Sequence, residues 1–220
     1  LPPRPLAEMM DPDERDVWAP TVWPLAMPEL RPALEGYYLA MADLAATVMS
    51  GFAIALHLDC DWFEPFIDVH GSALRIAHYP PNGAAGSEIS LPGHTDLSFL
   101  SLIPPATRPG LEILTPSGEW IEQPVVPDGL LFNTGNTLCQ WTNDVFKATP
   151  HRVRADPTED RHSNIFFLYP NVDALMSCVP TCVSAENPEN NFDKIAPKIK
   201  NLLKKEFGNH KKLRIIAEPG

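Results

Sequence analysis

The chain has 220 residues, 44% of them hydrophobic, and carries 17 Lys and Arg against 28 Asp and Glu for a formal charge of −11. That length and composition allow one sizeable buried core and exclude fibrous or disordered classes, while the acidity argues against nucleic acid, whose phosphates require a basic face. A small-molecule partner fits better, and with Cys60, Cys139, Cys178 and Cys182 forming no Cys-x-x-Cys pair, a reducing, cytoplasmic setting is expected rather than a disulfide scaffold.

Residues 1–60 read as an irregular lead-in followed by a packing helix. The start, Leu1 to Met10, lacks the apolar segment of a secretory signal, and prolines recur as far as Pro24 without a sustained period. From Leu34 the apolar residues Tyr37, Met41, Leu44, Val48, Phe52 and Ala55 recur at three to four residue intervals, which predicts a helix with those positions on its covered side. The longest apolar run, Leu44 to Leu56, is shorter than the roughly 20 residues a bilayer requires, so no membrane association is expected.

Residues 61–175 change texture. Short runs, Leu74–His78, Leu97–Ile103, Leu111–Leu114, Leu130–Asn133, His151–Arg154 and Ser163–Tyr169, are separated by turn signals at Pro80-Pro81-Asn82-Gly83, Ser117-Gly118 and Asp128-Gly129. Many short strands closed by turns predict a mainly β class with flanking helices, its core a double-sheet jelly roll or barrel. Residues 176–220 return to a helical period at Phe192, Ile195, Ile199, Leu202 and Phe207. Eight basic residues fall between Lys194 and Arg214, the pattern of a solvated helix face. No repeat of fixed period appears, and a monomer is the default expectation.

The informative constellation begins at His94-Thr95-Asp96. In an extended segment residues two apart point the same way, so His94 and Asp96 can bind one ion while Thr95 points away. His151 lies 55 positions after Asp96, far enough for a later strand to pair back and add a third ligand. Two histidines and one carboxylate leaving one side of the metal open are the set that selects non-haem Fe(II) for oxygen chemistry. Taken as ligand types only, the same residues would also permit a zinc hydrolase.

Ten residues past His151, Arg161 and Ser163 share a face of the next predicted strand. A guanidinium fork beside a hydroxyl suits a carboxylate, with a surface ion pair as the competing reading.

With these landmarks the chain resembles the isopenicillin N synthase-like branch of the 2-oxoglutarate and Fe(II)-dependent dioxygenases. The resemblance runs from about Trp18 to Ala174, through Leu74-Arg75-Ile76-Ala77-His78-Tyr79-Pro80-Pro81, Gly93-His94-Thr95-Asp96, Gly110-Leu111-Glu112-Ile113, Phe132-Asn133-Thr134-Gly135, Trp141-Thr142-Asn143, His151-Arg152-Val153 and Arg161 to Pro170. It implies a double-stranded β-helix of the cupin-like jelly-roll type, Fe(II) held by His94, Asp96 and His151, and 2-oxoglutarate anchored by Arg161, Ser163 and the hydroxyl of Tyr79. It also implies a small metabolite oxidised by hydroxylation, desaturation or cyclisation, of the kind met in secondary metabolism, with O2 consumed and succinate and CO2 formed.

On the alternation of strands, Arg75 and Phe167 are candidate substrate contacts, with a structural salt bridge as the other reading of Arg75. An oxidase that uses iron without 2-oxoglutarate and a non-catalytic jelly-roll binding module are the alternatives. The sequence departs from many plant relatives at Ala77, Asn136 and Asp144, where asparagine, aspartate and glycine are usual. A front section that relatives carry before the segment like Trp18–Pro28 is expected to be missing here, truncated or left out of this chain.

Overall fold

The computed structural model describes residues 21–189, except 69, 82–87, 157, 172–173 and 175–176. The expected C-terminal helix and its basic cluster lie outside the described residues. The described chain falls into two compact units, residues 21–71 with 170–177, and residues 72–169 with 178–189.

In the first unit, helix α1 spans Leu30–Ala55 and a single-turn helix, α2, spans Glu64–Ile67. The predicted helix exists, but its covered stripe is turned by about one residue: Tyr38, Met41, Ala45, Met49, Phe52 and Ala53 are buried. Leu44 remains 38% exposed. The apolar content is high almost all round this helix, so a pattern of large residues does not single out the stripe; Ala45 and Ala53, small and fully buried, mark the true side. At 26 residues α1 also meets the length and composition of a membrane span, which corrects the reading that no segment does. The correction arises because the helix begins well before the run at Leu44.

The second unit is built from eight strands: β1 Ala73–Tyr79, β2 Ile89–His94, β3 Leu100–Ile103, β4 Leu111–Leu114, β5 Trp120–Glu122, β6 Leu131–Thr134, β7 His151–Arg154 and β8 Arg161–Leu168. They form two four-stranded antiparallel sheets, ordered β1-β8-β3-β6 and β2-β7-β4-β5. Chain-adjacent strands mostly alternate between the sheets, the connection pattern of a jelly roll. β3 is interior to its sheet and buried throughout, with Leu100 and Leu102 at 0% exposure on one face and Ser101 on the other. A strand covered on both faces reads as a largely apolar run, which is how Leu97–Ile103 appears in the sequence, interrupted only by Ser98 and Ser101.

β2 and β5 have no counterpart among the predicted runs. β2 carries Pro92-Gly93 and two register shifts against β7, so its sequence lacks regular alternation. β5 has only three residues. A short helix, α3 (Asn136–Trp141), comes after β6, and its Leu138 and Trp141 join Phe99 and Phe166 in the core.

Candidate active site

The register of β2 against β7 sets His94 opposite His151. Cross-strand partners hold their Cβ atoms about 5 Å apart, and here the imidazole centroids are 4.3 Å apart. His94 is the last residue of β2, so Asp96 sits in the loop beyond it instead of continuing the strand. Convergence therefore comes from that loop as much as from strand alternation.

The turn from β6 into α3 fixes this loop. Asn136 N–H donates to Asp96 O at 2.7 Å, Gly135 N–H to Phe99 O at 2.9 Å and Thr137 N–H to Ser98 O at 3.2 Å. Asn136 Nδ2 donates to Thr95 Oγ1 at 3.0 Å, and Thr137 Oγ1 to Leu97 O. Gly135 is required by this approach: a Cβ there would collide with the Ser98 carbonyl oxygen.

Each histidine is oriented by a backbone carbonyl. His94 Nδ1 stands 2.9 Å from Pro92 O, and His151 Nδ1 stands 3.1 Å from Thr149 O. An Nδ1–H donated to a carbonyl leaves Nε2 as the free acceptor, which is how metal-ligating imidazoles are commonly set. Both Nε2 atoms lie 3.6 Å from Asp96 Oδ1, and the three donor atoms are within 4.8 Å of one another.

The other carboxylate oxygen, Asp96 Oδ2, accepts from Ser101 Oγ at 2.5 Å and from Asn133 Nδ2 at 3.3 Å. Sequence reasoning misses Ser101 and Asn133. They pair across β3 and β6, in one row with Phe167 of β8. Their signal is a polar residue at an inward position of an otherwise apolar strand, readable only once the inward face is known. With one oxygen so held, Asp96 presents the other to the histidines. Two imidazoles and a carboxylate in this grouping fit ferrous iron, with the cleft side left open.

The same cleft is lined by Tyr79, Arg161 and Ser163. Arg161 is opposite Tyr79, and Ser163 is opposite Ala77, in the β1–β8 register, so all four side chains share one face. Arg161 is 4% exposed, and burial lowers its pKa from the usual arginine value. Its Nε donates to Arg108 O at 3.2 Å and Pro109 O at 3.0 Å. Gly110, at φ 118°, lets the β3–β4 loop pass this close, since a Cβ would meet Arg154 O at 3.3 Å. Arg161 Nη1 is buried without a hydrogen-bond partner.

Tyr79 meets Arg161 through its ring, 5.2 Å from guanidinium carbon to centroid. What the structure shows for Tyr79 is this stacking contact, which the sequence does not suggest; the hydroxyl contact implied by the resemblance would be to a ligand. A buried, unpaired guanidinium nitrogen beside a serine hydroxyl fits a carboxylate. Arg75 and Phe167 also line this cleft, together with His94, Asp96 and His151.

Among the sequence departures, Asn136 ties down Thr95, and Asp144 takes φ 65°, the left-handed conformation that explains a usual glycine. The inward position of Ala77, 8% exposed, is simply filled.

A sequence model described as the 2OG-Fe(II) oxygenase superfamily matches residues 70–170. The chain is 28% identical over 197 residues to the 2-oxoglutarate-Fe(II) type oxidoreductase hxnY of Emericella nidulans, covering 86% of this chain and 56% of that protein. It is 32% identical over 180 residues to a 2-oxoglutarate-dependent dioxygenase of Didymella fabae, covering 77% and 54%. The chain thus spans about half the length of these curated relatives. Among solved structures, a Caulobacter crescentus protein of the 2OG-Fe(II) oxygenase family matches at 29% identity and TM-score 0.76, covering 87% of this chain and 63% of that one. A Neurospora crassa protein solved in complex with alpha-KG shares the fold, with TM-score 0.78 at 24% identity over 86% and 61% of the two chains.

Proposed function

Because the chain belongs to the 2OG-Fe(II) oxygenase superfamily, we propose that it binds Fe(II) and 2-oxoglutarate and consumes O2 to oxidise a small-molecule substrate, with succinate and CO2 as co-products. The observation that carries this reading is the buried, unpartnered Nη1 of Arg161 in the same cleft as His94, Asp96 and His151. An ion-paired arginine would have no need of a ligand, and a metal triad alone would not call for 2-oxoglutarate.

His94, Asp96 and His151 would hold the iron, which when bound supplies the redox chemistry and the place where the 2-oxo acid and dioxygen meet. Arg161, with Ser163 and Tyr79 beside it, would receive the distal carboxylate of 2-oxoglutarate. Its clamp on Arg108 O and Pro109 O fixes the fork before the ligand arrives, so little side-chain entropy is lost on binding. Apolar Leu111 and Val153 line the same cleft.

The test is an anaerobic titration of the Fe(II)-loaded chain with 2-oxoglutarate, followed by the weak visible charge-transfer band of a 2-oxo acid chelated to ferrous iron. The band is expected, and is expected to vanish when His94, Asp96 or His151 is replaced by alanine. Iron binding with no band would overturn the 2-oxoglutarate part of the proposal, and no iron binding would overturn all of it.

A further inference from the structure

The cleft holds one charged group that neither the metal triad nor the co-substrate site uses. Once His94, Asp96, His151, Tyr79, Arg161 and Ser163 are assigned, its remaining walls are apolar, among them Leu91, Val153, Ile165 and Phe167, and the exception is Arg75.

The register of β1 and β8 locates Arg75 along the cleft. It lies opposite Ile165, four residues along β1 from the Tyr79–Arg161 pair. At about 3.3 Å per residue, that puts its backbone roughly 13 Å from the arginine of the co-substrate site. On the other side it adjoins the row of Ala73, Phe167, Ser101 and Asn133, the last two of which hold Asp96. Arg75 is therefore a second cationic station, on the metal's side of the cleft.

Its charge is unmatched. Among the described residues Arg152 and Arg154 face Glu112, Arg108 pairs with Glu159 and Arg31 pairs with Glu35, whereas Arg75 has no carboxylate within ion-pair distance. The salt-bridge reading of Arg75 finds no partner among those residues. Arg75 is exposed, so no carboxylate of the protein has to neutralise it; in a chain of net charge −11 its free guanidinium, at the wall of an otherwise apolar cleft, is open to an anion from outside the protein.

We propose that the substrate is a small organic acid, an apolar and preferably aromatic body bearing one carboxylate, and that Arg75 receives that carboxylate while Phe167 faces the body. This rests on the iron and 2-oxoglutarate reading above. An arginine fork binds a carboxylate in two parallel hydrogen bonds, while the apolar walls beside it receive the body of the substrate. The reacting carbon is then held beside the metal by a group remote from it, as substrate positioning requires.

The test uses the 220-residue chain loaded anaerobically with Fe(II) and 2-oxoglutarate, so that Arg161 is already occupied. Phenylacetate and its neutral isostere phenylacetamide are titrated by calorimetry into the unaltered chain and into Arg75→Gln. Phenylacetate is expected to bind at least about tenfold more tightly than phenylacetamide, and the preference is expected to disappear in Arg75→Gln. Equal affinities, no binding of phenylacetate, or an undiminished preference in the variant would overturn the proposal. Loss of the charge-transfer band in Arg75→Gln would assign Arg75 to the co-substrate and overturn it too. Failure of the band in the unaltered chain strikes the functional reading itself, whereas a normal band without carboxylate preference strikes only the role of Arg75.

Discussion

Arg161 bears a cost in the free protein that a ligand removes. Its guanidinium is buried, and Nη1 lacks an acceptor. Arg161→Leu is expected to weaken 2-oxoglutarate binding by about 3 kcal/mol or more, roughly a hundredfold, because the carboxylate loses its charged partner. The same variant is expected to keep or raise the thermal midpoint of the ligand-free protein, since a buried charge with an unpartnered nitrogen is replaced by an apolar group. Arg161→Lys should recover only part of the affinity, as an ammonium cannot reproduce the fork. Titration of the charge-transfer band and a melting curve read the two effects separately. Ser101 offers a second case. Ser101→Ala leaves Asp96 Oδ2 with Asn133 as its donor, and iron affinity is expected to fall about tenfold, with altered d–d bands in the Co(II)-substituted protein. Ser101→Thr, which keeps the hydroxyl, should restore both.

Among the elements, the loop carrying Asp96 depends on the turn into α3. Gly135→Ala would drive a Cβ onto the Ser98 carbonyl, a backbone atom that cannot swing aside. A loss of about 1–3 kcal/mol in stability is expected, together with weakened iron binding, because Asp96 moves with the loop; urea unfolding and metal titration check this. In α1 the rotated stripe makes its own prediction. Met49→Ala, at 0% exposure, is expected to cost about 2–5 kcal/mol. Leu44→Ala, at 38% exposure on the side where the sequence pattern predicts burial, should cost about 0.5 kcal/mol or little more. Equal effects in denaturant titrations would contradict the orientation of α1. Strands with clean boundaries, β4 and β7, are legible residue for residue, since turn signals flank them. β2 is not, because Pro92-Gly93 and its register shifts erase the alternation by which a strand is read.

For the molecule as a whole, the site joins the two sheets of the β unit. His94 and His151 come from one sheet, while Ser101, Asn133, Tyr79, Arg161 and Ser163 come from the other. A ligand held from both sides binds the folded unit and not the unfolded chain. Fe(II) with 2-oxoglutarate, each at about a hundred times its dissociation constant, is therefore expected to add at least about 2.7 kcal/mol to stability. Anaerobic melting with and without a chelator measures this gain, and His151→Ala should abolish it.

The candidate triad His94, Asp96 and His151, the Arg161–Ser163 pair and the β character of residues 61–175 are present in the sequence by itself. They depend on residue type and on local period, and both are written along the chain. The tertiary structure alone decides that Ser101 and Asn133 grip Asp96, that Arg161 Nη1 is left unpaired, and that Arg75 lines the cleft of His94, Asp96 and His151 without a carboxylate partner among the described residues. Those facts concern which residues meet across strands far apart in the chain, and register, not composition, determines that.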